Sequence, residues 1–131
     1  MGRRRVTVDQ LAGAIEDILK QYEDNIEEGL EPVLRKTAQT ARAEVKANSP
    51  KRTGDYKKGW QYSQDGLHFS VYNGTKPQLT HLLENGHAKR DGGRVEGHPH
   101  IAPVEEKIQE QLPEEVIEAI EEAGRKVNIK R

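Results

Sequence analysis

Apolar residues along the chain fall into two helical stripes with a stretch of strand-like alternation between them. Thr7 and Gln10 have the spacing of a capping box, and a helical periodicity starts directly after them. Leu11, Ile15, Ile18, Tyr22 and Ile26 recur at steps of three and four, and the series continues through Leu30, Val33 or Leu34, Ala38, Ala41 and Val45. This predicts one amphipathic stripe of about ten helical turns. Gly29 and Pro32 interrupt it, and a proline inside a helix removes a hydrogen bond and clashes with the preceding turn. Because the stripe keeps its phase across Pro32, the expectation is a kinked helix or two closely abutted helices, ended by Asn48-Ser49-Pro50.

Residues 49–57 read as a polar loop. The period then changes to two. Trp60 and Tyr62 alternate with polar residues, Asp65-Gly66 supplies turn chemistry, and Leu67, Phe69 and Val71 alternate again, which predicts a β-hairpin. Asn73-Gly74 either starts a second hairpin or ends this strand. After Pro77, Leu79, Leu82 and Leu83 share one face of a short helix that Asn85-Gly86 would stop. Residues 86–100 hold four Gly and three His with no period, and read as a long loop. Pro103 suits a first helical turn. Val104, Ile108, Leu112, Val116 and Ile120, with Ile117 beside them, mark a C-terminal helix that Pro113 must kink or divide. The order is long helix, hairpin, short helix, long loop, helix: an α+β arrangement whose small antiparallel sheet needs helices over one face.

Composition narrows the picture. At 131 residues the size prior is a single domain, 1–131, with 1–7 and 125–131 as flexible tails. Hydrophobic residues are 33% of the chain, below the usual ~45–50%, so the core is thin. Neighbouring subunits would complete such a core, and a monomer with long solvated helices would show the same numbers. The net charge of −1 gives no general basic field for nucleic acid. Charge is unevenly spread, with Arg3-Arg4-Arg5 at one end and an acidic stretch from Glu105 to Glu122. The absence of cysteine excludes disulfides and thiolate metal sites. No apolar run is long enough to span a membrane, and no apolar segment follows the basic N-terminus as a signal peptide would require.

Candidate chemistry centres on the histidines. His81, His87, His98 and His100 lie within twenty residues, with Glu84 between the first two. A divalent metal site, and from it a metal-dependent enzyme, is conceivable here, but no HExxH or Cys/His spacing is present. The plainer reading is hydrogen-bonding loop and interface groups. A nuclease built on these histidines with Asn85 and Asp91 lacks an ordered acid pair. Ser49, Ser63 and Ser70 sit in no nucleophile elbow. Gly92, Gly93 and Gly97 lack the Gly-Lys-Ser/Thr ending of a phosphate loop. Lys51-Arg52 and Lys57-Lys58 flank Thr53-Gly54, and Arg90 and Arg94 tip the glycine-rich loop. With Trp60 and Tyr62 nearby, loops 50–58 and 89–94 offer a small nucleic-acid-binding protein as the alternative function. A solvated loop beside aromatics packed on the helices is the favoured reading of the same residues.

Three segments together resemble a known family. Ala47-Asn48-Ser49-Pro50-Lys51-Arg52-Thr53-Gly54-Asp55-Tyr56 resembles the "aPvrTGrL" signature that follows the first long helix in a family of tailed-bacteriophage neck proteins. Val71-Tyr72-Asn73 and then Leu82-Leu83-Glu84-Asn85-Gly86 resemble its "vyN" strand end and "lEfGt". Gly97-His98-Pro99-His100-Ile101-Ala102-Pro103-Val104 resembles its "hPflrPA" entry to the last helix. The resemblance runs over about residues 10–123, in order and spacing. Asp55-Tyr56 stands where a basic residue and Leu are usual, and Asn85 where an aromatic is common. The resemblance implies a non-enzymatic head–tail joining, neck or tail-completion protein with no cofactor. It further implies a ring-forming homo-oligomer, a hexamer among the ring sizes, bound to other neck and tail proteins. Such a protein is made in the bacterial cytoplasm and resides in the virion at the head–tail junction. The contact residues expected for such a role are Lys51, Arg52, Thr53, Gly54, Lys57 and Lys58, together with Arg90, Arg94, His98 and His100. Neither a membrane nor a specific nucleic acid is expected as partner.

Overall fold

The computed structural model describes residues 7–51 and 54–128. Helix α1 runs from Val8 to Asn48 without a break. Thr7 caps it: its side chain accepts the Gln10 N–H at 3.2 Å, and Gln10 Oε1 accepts the Thr7 N–H at 2.9 Å. Pro32 does not divide the helix, and α1 is a single element of 41 residues. Pro32 lies on the exposed side, where the carbonyl that loses its partner can be hydrated instead. The same holds at Pro113, which is exposed within an undivided helix α4, Ala102–Arg125.

Between these helices stand α2 (Asp55–Lys58), β1 (Trp60–Asp65), β2 (His68–Asn73), α3 (Pro77–Asn85), β3 (Gly86–Ala88) and β4 (Arg94–Glu96). The expected polar loop 49–57 therefore ends in a helical turn, and it buries Tyr56. The sheet expected from the alternation is the β1–β2 hairpin, paired antiparallel from Trp60↔Asn73 to Asp65↔His68. Asn73-Gly74 ends β2 and starts no further strand. The expected loop 86–100 instead contains a second antiparallel pair, β3–β4, with register Gly86↔Glu96 to Ala88↔Arg94. Strands of three residues are too short to show alternation, which is why the pair is invisible in the pattern.

Helix α4 packs back along α1. Lys107 Nζ meets Glu44 at 2.9 Å, Asn25 Nδ2 donates to the Ala123 carbonyl at 3.2 Å, and the Asn128 N–H donates to Gln21 Oε1 at 2.9 Å. At the inner ends of the expected tails, Thr7 caps α1, Arg125 closes α4, and the Asn128 N–H donates to Gln21 Oε1. Residues 1–6 and 129–131 lie outside the described residues. The hairpin lies across α1, with Trp60, Tyr62, Val71 and Phe69 on the face toward it. Arg42 Nε donates to the Trp60 carbonyl at 2.8 Å and Gln39 Nε2 to the Tyr62 hydroxyl at 3.2 Å. The buried cluster is small: Ala41, Val45, Tyr56, Trp60 and Val104, joined by half-buried Val71, Leu79, Leu83, Ile101 and Ile108. It sits at the C-terminal end of α1. The other end of α1 extends beyond the reach of α4.

Candidate assembly interface

The three family-like segments, distant in sequence, converge on one buried network. His100 has 0% exposure. Its Nε2 lies 2.6 Å from the Tyr56 hydroxyl, and its Nδ1 lies 2.8 Å from the His98 carbonyl and 3.0 Å from Glu84 Oε1. Rings pack edge-on around it, Tyr56 against Trp60 at 5.6 Å and Tyr56 against His100 at 5.5 Å between centroids. Trp60 Nε1 donates to Ser49 Oγ at 2.7 Å, and that hydroxyl donates to the Val45 carbonyl at 2.6 Å, which fixes the end of α1. Asn73 Nδ2 donates to the Tyr56 carbonyl at 2.6 Å, while its Oδ1 accepts the Lys76 N–H at 2.8 Å. Among the described residues each buried side-chain polar atom thus has a partner, as the cost of an unsatisfied one requires. Burial pushes the Tyr56 phenol above its ordinary value.

Glu84 provides the missing N-terminal cap of α4. Its Oε1 accepts the N–H groups of His100 and Ile101 at 2.8 and 2.9 Å, and its Oε2 accepts that of Ala102 at 3.0 Å. Helix starts leave such N–H groups without intrahelical partners and favour negative charge. Burial pushes this carboxyl up, but the three N–H groups together with His100 outweigh it and hold it below the usual range. The α3–β3 junction is tight. The His98 N–H donates to the Leu83 carbonyl at 2.7 Å, and a Cβ on Gly97 would stand 2.5 Å from the Glu84 carbonyl oxygen.

His100 was expected as a partner contact, and the structure places it inside, where it joins three segments of its own chain. His98 is exposed, and its Nε2 lies 3.0 Å from the Asn48 carbonyl. Among the described residues no group of three or more His, Cys, Asp or Glu is arranged to hold a metal. His81 instead meets Asn85 at 3.1 Å.

The basic residues divide. Lys51 and Lys58 are exposed and Lys57 is half-buried around α2, whose N-cap is Gly54 at φ 89°. Arg52 and Thr53 lie outside the described residues. Lys76 joins this group by lining a cleft with Pro50, Asp55 and Tyr56. Arg90 and Arg94 stand apart on the β3–β4 hairpin, and Arg94 donates to the Asn85 carbonyl at 2.7 Å. Sequence reading missed Lys76 because nothing in its neighbourhood marks it; only the fold sets it beside Tyr56. Of the expected α1 stripe, Leu11 and Ile15 are exposed, as are Val8 and Leu19 beside them.

The described residues thus combine a thin core with an exposed apolar stretch at the start of α1. The model of the HK97-gp10-like family, described as "Bacteriophage HK97-gp10, putative tail-component", matches residues 13–86, from α1 through α3. The chain belongs to this family and is a structural component of a bacteriophage tail, located in the virion. No curated protein and no solved structure matches it. No helix among the described residues is long and apolar enough to cross a membrane.

Proposed function

We propose that the protein joins head and tail as a neck or tail-completion component, acting through protein–protein contacts and without catalysis. In this reading it forms a ring of identical subunits, a hexamer among the closed forms, and also contacts other neck and tail proteins at the head–tail junction. The observation that carries the reading is the uncovered apolar face of α1 in a chain of the tail-component family. An isolated subunit has no use for that face, whereas a ring requires unlike faces to meet. Charge is polarised to match. The α2 region exposes Lys51 and Lys58, while α1 and α4 expose rows of glutamates and aspartates.

The basic 51–58 surface is then the contact that meets an acidic partner. Reversing charge at Lys51, Arg52 and Lys58 is expected to leave the circular dichroism spectrum and melting temperature unchanged while blocking tail joining in an in vitro complementation assay. Normal joining by the folded triple variant refutes this role for the surface.

A further inference from the structure

The exposed stripe on α1 has a definable partner. Val8, Leu11, Ile15 and Leu19 are 83%, 51%, 48% and 62% exposed. Steps of three and four place them on one narrow face of the helix. Asp9, Glu16 and Glu23, spaced by seven and all exposed, form an acidic row along one flank of that face. An occupant for such an arm must offer an apolar floor and a basic rim.

The clefts of the chain differ in this respect. Those between α1 and α4 are rimmed by acids as well as bases, with Glu44 and Glu115 in one and Glu115, Glu118 and Glu122 in the other. The cleft between α1, β2 and α4 is apolar, with His68 as its titratable group. The cleft of about 350 Å³ between the α2 segment and α3 has Pro50, Tyr56, Leu79 and Leu83 as its floor. Lys76 lines it, with Lys51 next to Pro50 and Lys58 on α2; Asp55 is the acid in its lining.

A chain cannot place its own arm there. The arm and the cleft lie at opposite ends of α1, and at 1.5 Å per residue the middle of the stripe is about 50 Å from the helix C-terminus. Pairing two arms antiparallel is also disfavoured, since it sets the acidic row of one against the same row of the other. We infer that the α1 arm of one subunit docks, stripe down, in the α2–α3 cleft of a second copy of this chain, its acidic row against Lys51, Lys58 and Lys76. This contact is head-to-tail, so it closes into a ring or propagates. One narrow helical stripe in a cleft of about 350 Å³ is a small contact beside the ~1,200 Å² of a standard stable interface. A single contact is therefore weak, and a closed ring, which gives every subunit two, is the stable form.

The inference rests on the assembly role proposed above, and its test separates the two. Because the chain contains no cysteine, engineered pairs report contact directly. In the full-length protein, Glu16→Cys and Lys76→Cys together are expected to give a ladder of covalent multimers on mild oxidation, and each single variant only monomers. Cross-linking through Glu16→Cys alone would mean that arms pair with each other, which overturns the inference. So would the absence of a ladder both in concentrated protein and in assembled particles. Lys58→Glu with Lys76→Glu is expected to weaken self-association by at least about tenfold in sedimentation velocity, through like charges brought together. Adding Glu16→Lys and Glu23→Lys should restore it, and a failed restoration with all variants folded counts against the contact. If reversal at Lys51, Arg52 and Lys58 blocks tail joining while no ladder forms, the acidic partner is another virion protein, and only the arm–cleft contact falls.

Discussion

Replacing Glu84 with Gln tests how the last helix is held. The carboxylate accepts three backbone N–H groups, two on Oε1 and one on Oε2, and Oε1 also faces His100 Nδ1 at 3.0 Å. A glutamine keeps one acceptor oxygen and turns an NH2 group toward the remaining N–H of Ala102. It also removes the negative charge at the start of α4. Hydrogen bonds to charged acceptors contribute about 1.5–3 kcal/mol each, and a helix-terminal charge about 0.3–1 kcal/mol, so a loss of about 2–3 kcal/mol is expected at neutral pH. For a chain of this size that corresponds to a drop of roughly 6–12 °C in Tm. The pH dependence carries a sign. The folded carboxyl lies below its unfolded value, so its contribution is fully present above the unfolded pKa and is lost as pH falls through the folded one. Chemical denaturation of wild type and Glu84→Gln, followed by circular dichroism from pH 7 down to pH 3, should therefore show a stability gap that is widest at neutral pH and shrinks in acid. A gap under about 0.5 kcal/mol at pH 7, or one that does not shrink in acid, would refute this account of the cap.

Two further substitutions test the backbone. Gly13 lies in the interior of α1 with no atom within 4 Å of where a Cβ would stand, so Gly13→Ala should stabilise the protein by up to about 1 kcal/mol in thermal melts. Gly86 has φ 78°, and its Cβ would collide with the Val95 carbonyl oxygen and the Gly97 nitrogen, so Gly86→Ala should cost several kcal/mol, of order 3 or more, or prevent folding, as read by soluble yield and denaturant midpoint.

The elements set by periodicity were legible in the chain. Both long helices, the hairpin and the Pro77–Asn85 helix each carry a repeat long enough to fix their type, and Thr7 with Gln10 marks the start of α1 correctly. What escaped depends on three-dimensional context. Neither Pro32 nor Pro113 divides its helix: both are exposed, where water can hydrate the freed carbonyl, and whether a given side of a helix faces water is decided by what packs elsewhere. His100 sits in a segment of glycines and histidines that reads as surface. It is buried because Tyr56, Trp60 and Glu84, contributed by α2, β1 and α3, close around it. Its one local signal is the Pro103 helix start two to three residues on, which implies that the preceding segment must be anchored to something. The exposed half of the α1 stripe escaped for the opposite reason: periodicity shows that a face is apolar, not what covers it.

That distinction bears on how the molecule is built. Isolated helices of about a dozen residues are marginal in water, so residues 8–19 owe their helical state to continuity with the packed remainder of α1 and to the Thr7–Gln10 box. The arm needs no core of its own to be presented as a rigid rod. Meanwhile the buried network around His100 and Tyr56 lies at the far end of the same helix, and it fixes both walls of the α2–α3 cleft: Asn73 ties Tyr56 to the approach to α3, and Glu84 ties α3 to α4. One helix thus carries the exposed stripe at one end and the α2–α3 cleft at the other, which in the proposed contact would serve as knob and socket. Rigid subunits with unlike ends lose little conformational entropy on joining, which is how contacts of modest area suffice when a ring closes. In the proposed assembly the small hydrophobic core would have the same origin, since part of the apolar surface of the chain would be covered by a neighbour.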